Sequence, residues 1–475
     1  MRTDIPLSIA AICAAAAAWT PFAGAAQRPN VLLVIADDMT YHDCGAYGSA
    51  VVQTPNIDRL AREGMRFDRM FTSTAMCAPT RQQLYTGVWP VRNGAYPNHS
   101  RVHDGTRSWA HHFRELGYRC GLAGKNHCKP AASYPWEKVG ESASWGLDEI
   151  REFIHRDAEQ PYFLVAAHKD PHSPWNHGDA SQYPPDEIEV PPYLADTPPT
   201  RAALSHYYAE ITFMDTALGE LVSLVDDSGE RNNTIVIFTS EQGSSFPFGG
   251  KWTCYENGLR TAFIVRWPAR VLAGSKTDAM CQYVDVLPTL IAAAGADPQA
   301  TDTGLAGGPD DGRGFDGISF LPVLLGEGQR HRAYTFGVHT SRGIVNGTDY
   351  PVRSVRGERF KYIRNLNHEN VFTNLVTQNG QGDSEDNVFA SWLAAGNLPT
   401  ERAKAYQRRP AEELYDLDAD PFEITNLAGL TALADVQQEL RNELDRWMKQ
   451  QGDQGLGTER LARERQEKSR SERRP

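Results

Sequence analysis

The residues best placed for chemistry lie in Cys77-Ala78-Pro79-Thr80-Arg81. The cysteine is followed by proline two positions on and by arginine four positions on, and Gln82 to Thr86 read as a short helix closed by Gly87. Pro79 suits the first helical position, where its fixed φ is favourable and its missing N–H costs nothing. Cys77 is therefore expected just ahead of a helix N-terminus, where free amides and the positive dipole end favour an anion. Arg81, one turn in, can aim its guanidinium at the same anion. A buried cysteine before a helix is the plainer alternative. Two other groups bear on the choice. Asp37 and Asp38 directly follow the apolar run Val31 to Ala36, and adjacent acids there suit a hard cation better than a solvated loop. His172 follows a second apolar run and is bracketed by Pro171 and Pro174, which hold it rigidly.

These groups need a scaffold, and the runs before them supply one. Val31 to Ala36 is continuously aliphatic, as a strand buried on both faces of a parallel sheet must be. Tyr118 to Ala123, Pro161 to Ala167, Asn233 to Thr239 and Thr261 to Trp267 read as further strands. Functional groups of open α/β sheets collect at the carboxyl ends of strands. Helices are expected over Thr54 to Gly64, Thr106 to Leu116 and, with long 3.6-residue periodicity, Arg201 to Asp227. Residues Ala296 to Gly317 read as a surface loop. From about Tyr334 the pattern changes to short strands followed by an amphipathic helix over Leu430 to Gln450. The fold class is thus α/β, with a large mixed, mostly parallel sheet sandwiched by helices and a smaller C-terminal domain with a short antiparallel sheet and a helix. The expected divisions are a signal peptide (1–25), a main domain (26–333), a C-terminal subdomain (334–450) and a charged, mobile tail without a core (451–475).

Composition narrows the function classes. A chain of 475 residues can bury a large core and a smaller one. Its net charge of −12 argues against nucleic acid as the main partner. Met1 to Ala25, with Arg2, an alanine-rich apolar stretch and Ala23-Gly24-Ala25, reads as a secretory signal, so export to the periplasm or the medium is expected. No later segment is apolar enough to span a membrane. Without Cys13 of the signal, Cys44, Cys77, Cys120, Cys128, Cys254 and Cys281 remain; if Cys77 is taken up by chemistry, the other five are an odd set and at least one is expected free.

Cys-x-Pro-x-Arg resembles the maturation motif of the formylglycine-dependent sulfatases, within the alkaline-phosphatase-like superfamily. Other stretches match that family in its order. They are Thr54-Pro55-Asn56-Ile57-Asp58-Arg59-Leu60, Gly124-Lys125-Asn126-His127, Pro171-His172-Ser173-Pro174, Ser240-Glu241-Gln242-Gly243, Lys251 with Tyr255-Glu256-Asn257-Gly258-Leu259-Arg260, and Asp285 with Pro288-Thr289-Leu290. Departures are Thr80 for the usual serine, Asn126 for tryptophan, and Glu241-Gln242 for an Asp-Asn or Asp-His pair. Tyr350 to Arg356 and Asn365-Leu366-Asn367 are similar to the sulfamidase branch, whose layout bacterial polysaccharide sulfatases, ulvan-active ones included, share.

The resemblance implies that Cys77 is oxidised by a formylglycine-generating enzyme to an aldehyde whose hydrate is the nucleophile. It implies that Asp37, Asp38, Glu241 and Gln242, with residue 77, surround one Ca²⁺, Mg²⁺ being the alternative. Arg81, Lys125 and Lys251 then neutralise the sulfuryl oxygens. His172 protonates the leaving group and His127 deprotonates the second hydroxyl, or the two exchange roles. The substrate is a sulfated carbohydrate, and His99, Arg101, His103, Trp175 and His177 are expected to line a sugar pocket. Three competing readings are a sulfamidase cleaving N-sulfate, a phosphomonoester or phosphonate hydrolase on the same fold, and an inactive sulfated-glycan-binding relative.

Overall fold

The protein is seen in a computed structural model that describes residues 28–140, 145–341, 349–378 and 385–471. The expected signal peptide lies outside the described residues.

Eight strands form the main sheet. In chain order they are β1 (Asn30–Ala36), β2 (Met65–Phe67), β3 (Arg119–Gly124), β4 (Glu137–Val139), β5 (Tyr162–Ala167), β6 (Thr234–Ser240), β7 (Phe263–Arg266) and β8 (Ser275–Thr277). Their spatial order is β8-β2-β7-β6-β1-β5-β3-β4. The centre is parallel: Val31 of β1 lies level with Phe163 of β5 on one side and Ile235 of β6 on the other. Only β7 runs against its neighbours, β6 and β2. The aliphatic runs form strands here because both faces are covered. Leu32 and Val34 pack into one cluster with Leu204, Tyr207 and Leu218 of the long helix Pro198–Asp227. Val31, Leu33 and Ile35 pack into another with Trp109, Phe113 and Leu287.

A second, antiparallel sheet consists of β9 (Thr335–His339), β10 (Val352–Arg356), β11 (Phe360–Asn365) and β12 (Glu412–Asp416), in that order. The helix Ala434–Gln450 lays Leu440, Leu444 and Trp447 on it, over Val355, Tyr362 and Leu414.

Three expectations need correction. Cys77 is itself the first residue of its helix, Cys77–Thr86, with Met76 as the cap, so Pro79 stands at the third helical position. The proline still costs no hydrogen bond, because the first turn has no intrahelical acceptor for its N–H. Helices Glu385–Ala395 and Asn397–Gln407 lie in a stretch where no element was expected. The charged tail is not a mobile segment through residue 471: Leu456–Ser471 is a helix, and Gln451, Asp453, Glu459 and Ala462 are buried. Polar groups are buried there because they are paired. Asp453 bonds the fully buried Arg353, and Gln466 Nε2 donates to Asn98 O at 2.8 Å. The six cysteines of the described residues are all free and buried. Among the described residues no helix is long and apolar enough to cross a membrane.

Candidate active site

Four neighbouring parallel strands end at one place. β1 delivers Asp37 and Asp38, β6 delivers Glu241 and Gln242, β3 delivers Lys125 and His127, and β5 delivers Asp170 and His172. The backbone ties the ends together: Asp37 N donates to Asp170 O at 3.1 Å, Glu241 N to Ala36 O at 3.0 Å and Lys125 N to Ala167 O at 2.9 Å. Into this corner the helix Cys77–Thr86 points its N-terminus. Asp38, His99 and His127 hold left-handed backbones, with φ of 66°, 57° and 53°, a conformation that non-glycine residues keep only when their surroundings enforce it.

Ligand atoms of Asp37, Asp38, Cys77 and Glu241 all lie within 4.8 Å of one another, and all four residues are buried. Cys77 Sγ is 3.7 Å from Asp37 Oδ1 and 3.5 Å from Gln242 Nε2. Each carboxylate faces its own cation. Lys125 Nζ donates to Asp37 Oδ2, and Lys251 Nζ donates to Asp38 Oδ2. Arg81 Nε lies 2.5 Å from Glu241 Oε2, an ion contact in which the N–H is not aligned on the oxygen. His172 Nε2 is 3.6 Å from Asp38 Oδ2, and its Nδ1 is 2.6 Å from Ser173 O. That carbonyl can only accept, so Nδ1 carries the hydrogen and Nε2 is the nitrogen turned to the acids.

Electrostatics follow from burial and these pairings. Burial alone would raise Asp37, but the Lys125 charge, a hydrogen bond with Glu241 and the His172 and Arg81 charges together outweigh it and hold the carboxyl well below its usual range. Glu241 is raised instead, by burial, which the Arg81 charge only partly offsets, and by the neighbouring Asp37 charge. Two adjacent buried carboxylates thus share their ionisation unequally. Burial also pushes the Cys77 thiol up, so the unmodified cysteine is no thiolate nucleophile. Burial, with the Lys125 and Arg81 charges, lowers His127 to about 2, so its ring is held neutral and its protonated form is disfavoured while those charges stand beside it.

The donor set fits a hard divalent cation. It is made of carboxylate and amide oxygens, which suit Ca²⁺ or Mg²⁺ and disfavour zinc. One observation of this site supports the fit directly: Gln242 Oε1 is buried and has no partner among the described residues. The extra methylene of Glu241 and Gln242 relative to an Asp-Asn pair does not carry either side chain out of the cluster.

A cavity of about 470 Å³ opens beside this cluster, walled by Asp37, Lys125, His127, Lys169, His172 and His177. A larger one of about 710 Å³, near Arg69 and Tyr334, contains none of these residues. Of the five residues expected at a sugar pocket, His177 lines the cavity. His99 is exposed with its ring against His127, centroids 5.5 Å apart. The other three lie elsewhere. Trp175 is core, stacked on Phe246 at 4.8 Å with Nε1 donating to Pro171 O. Arg101 pairs with Asp104, its carbonyl accepts from Arg465 Nη2, and His103 Nδ1 meets Arg465 Nη1, so both belong to the packing of the C-terminal helix. Proximity in sequence to a motif misplaced them. Asp170, which joins the cavity wall to Asp37, was not singled out at all; its position between His168 and His172 after a strand end was the available signal.

The sequence model described as Sulfatase matches residues 29–134 and 133–296, which carry all these groups. The chain belongs to the sulfatase family. It is 34% identical over 438 residues to an ulvan-active sulfatase of Formosa agariphila, covering 90% of this chain and 81% of that protein. It is 29% identical over 466 residues to human N-sulphoglucosamine sulphohydrolase, covering 89% and 90%. A protein solved in complex with its substrate D-glucosamine-2-N,6-O-disulfate shares the fold, with a TM-score of 0.68 at 21% identity over 90% of this chain and 99% of that one. As a sulfatase this chain is a sulfuric ester hydrolase.

Proposed function

We propose that this sulfatase removes sulfate esters from saccharides of a sulfated polysaccharide of the ulvan type, with formylglycine at residue 77 and Ca²⁺ beside it. The observation that carries the reading is the convergence of Cys77, three carboxylates and three cations on one buried corner at the rim of an open cavity. The likeness to the ulvan-active sulfatase supports the substrate class. The likeness to human N-sulphoglucosamine sulphohydrolase favours a second reading, cleavage of an N-sulfate.

When present, the formylglycine hydrate supplies the nucleophilic oxygen and the cation supplies charge neutralisation. Asp37, Asp38, Glu241 and Gln242 would hold the cation. With Asp37 and Asp38 engaged by the cation, their partners Lys125 and Lys251 would be free to bind sulfuryl oxygens. Arg81 keeps the first turn of its helix fixed against Glu241. His172, at the cavity wall with Nε2 inward, is the proton donor to the leaving oxygen, and neutral His127 the acceptor that serves release. Preorganised charges of this kind, aimed where negative charge develops, are commonly the largest single contribution to catalysis. Conversion requires a formylglycine-generating enzyme, and export follows from the signal-like residues 1–25.

The test is mass spectrometry of the tryptic peptide Met70 to Arg81 from a host with that enzyme, followed by sulfate release from ulvan oligosaccharides and from N-sulfoglucosamine. Aldehyde at residue 77 with release from ulvan supports the reading. Release only from N-sulfoglucosamine moves it to the sulfamidase. Aldehyde without any release leaves a glycan-binding relative, and unmodified cysteine with phosphate-ester turnover a phosphatase.

A further inference from the structure

The outer wall of the catalytic cavity carries a histidine that the chemistry above does not use. His177 lines the cavity with 33% of its side chain exposed. Its Nδ1 lies 3.1 Å from Asp170 Oδ2 and 3.8 Å from Glu210 Oε1, and both carboxylates belong to buried residues. Glu210 Oε1 also accepts from the amides of Asn176 at 2.6 Å and His177 at 2.9 Å. The two acids therefore fix both the backbone and the ring. A cation among the three is not required, because the amides already occupy the Glu210 oxygen that faces the ring. Nδ1 donates to Asp170, and the Nε2 edge is the one left for a ligand.

Beside this edge stands an exposed aromatic ring. The helix Pro198–Asp227 buries Leu204, Tyr207, Ile211 and Met214, whereas Phe213 lies off that stripe and is 44% exposed. Its ring stacks on the His177 imidazole, with centroids 5.3 Å apart and planes 28° from parallel. Together they make an apolar surface with a hydrogen-bonding rim, joined through His177 to the wall of the cavity that holds the reacting groups. That combination suits a pyranose ring, which offers C–H groups on its face and hydroxyls around its edge.

We propose that His177 and Phe213 form a subsite for a second sugar, next to the one whose sulfate enters the catalytic cavity. This rests on the saccharide reading above. Asp170 is the positioning residue: its side chain holds His177, and its carbonyl accepts from the Asp37 amide at 3.1 Å. The subsite is thereby held in register with the acids of the catalytic centre.

The test uses the full chain in a Cys77→Ala background, so that no ligand is consumed. Calorimetric titration compares 4-nitrophenyl sulfate with the tighter-binding of an ulvan and a heparin tetrasaccharide. Phe213→Ala and His177→Ala should each lower tetrasaccharide affinity relative to 4-nitrophenyl sulfate by about tenfold, the scale of one lost aromatic contact. Phe213→Ala removes an exposed ring, which keeps the measurement clear of misfolding. An unchanged affinity ratio in both variants overturns the subsite, as does tetrasaccharide binding no tighter than 4-nitrophenyl sulfate in the parent. Sulfate release by the converted wild-type protein is scored separately. Its absence counts against the proposed function, while the affinity ratio still decides the subsite.

Discussion

Gln242 donates through Nε2 to Asp38 Oδ1 at 2.7 Å, while its own Oε1 is buried without a partner among the described residues. The same nitrogen lies 2.9 Å from Glu241 Oε1 and 3.5 Å from Cys77 Sγ. One amide nitrogen thus serves Asp38, Glu241 and Cys77, and the oxygen serves none of them. A half-turn about the terminal torsion exchanges them and presents the oxygen to the centre of the cluster. A cation there would pay for that turn. Chelated protein titrated with Ca²⁺ should gain about 2.7 kcal/mol of stability at a hundredfold excess over Kd, seen in scanning calorimetry as a rise in Tm. Gln242→Leu, of similar size but without the amide, should lose most of that gain. A Tm indifferent to both Ca²⁺ and Mg²⁺ in the unaltered chain would remove the cation from this site.

Lys251 is buried, donates to Asp38 and lies 4.9 Å over the Trp252 ring. Asp38 and the other Lys251 charge partners outweigh burial and raise its pKa, so it is cationic throughout the working range. Lys251→Ala should lower kcat by about a hundred- to a thousandfold, the usual cost of one preorganised charge. Lys251→Arg should not restore it, because the planar fork does not fit a space shaped for a single ammonium. Steady-state kinetics with 4-nitrophenyl sulfate on the folded variants measures this. Wild-type turnover in Lys251→Ala would assign the lysine to structure alone.

Much of this arrangement was legible before any coordinates. The aliphatic runs from Val31, Pro161 and Asn233 form β1, β5 and β6 because a strand covered on both faces has no polar alternation to obscure it. Acids and amides directly after those runs fall at the strand ends as expected. What escaped was structure held by polar pairing. Helix Asn397–Gln407 carries Glu401, Arg402 and Lys404 around the buried Ala403 and Tyr406, so its apolar face is too narrow to read. Helix Leu456–Ser471 looks like a solvated tail until Asp453 is seen against Arg353. His177 and Phe213 are far apart in sequence and share no motif, so only the fold brings them together.

Asp285 offers a test of stability apart from catalysis. It accepts from the amides of Gln282 at 2.9 Å and Ile318 at 2.8 Å, and from Arg332 Nε at 2.7 Å. Burial would raise its carboxyl, but the Arg332 charge and hydrogen bonds hold it below the usual carboxylate range. A folded pKa below the unfolded value of about 3.9 means that the unfolded chain binds more protons in between. The contribution is therefore complete above that value and is lost as pH falls through and below it. Asp285→Asn should cost about 3 kcal/mol near neutral pH by leaving the largely buried Arg332 without its carboxylate partner, and its Tm should fall less steeply than wild type on acidification below about pH 4. Parallel acid limbs for the two proteins would show that Asp285 is not the group responsible.

The C-terminal helix Leu456–Ser471 braces a loop that reaches the catalytic centre. Arg465 Nη2 donates to Arg101 O at 2.7 Å, Gln466 Nε2 to Asn98 O at 2.8 Å, and Tyr96 Oη to Thr458 O at 2.7 Å. Between these anchors sits His99, left-handed at φ 57°, with its ring against His127. A chain ending at Gly455 keeps the buried Arg353–Asp453 pair and the helix Ala434–Gln450, so the C-terminal sheet should remain folded. With the bonds of Arg465 to Gly94 O and to His103 Nδ1, the loop would lose five hydrogen bonds worth about 1 kcal/mol each, enough to open it locally without unfolding the sheet. Trypsin should then cut after Arg101, which is buried in the full chain, and kcat should drop about tenfold as His127 loses its packing partner. Resistance at Arg101 together with full turnover would mean that the loop stands without the helix.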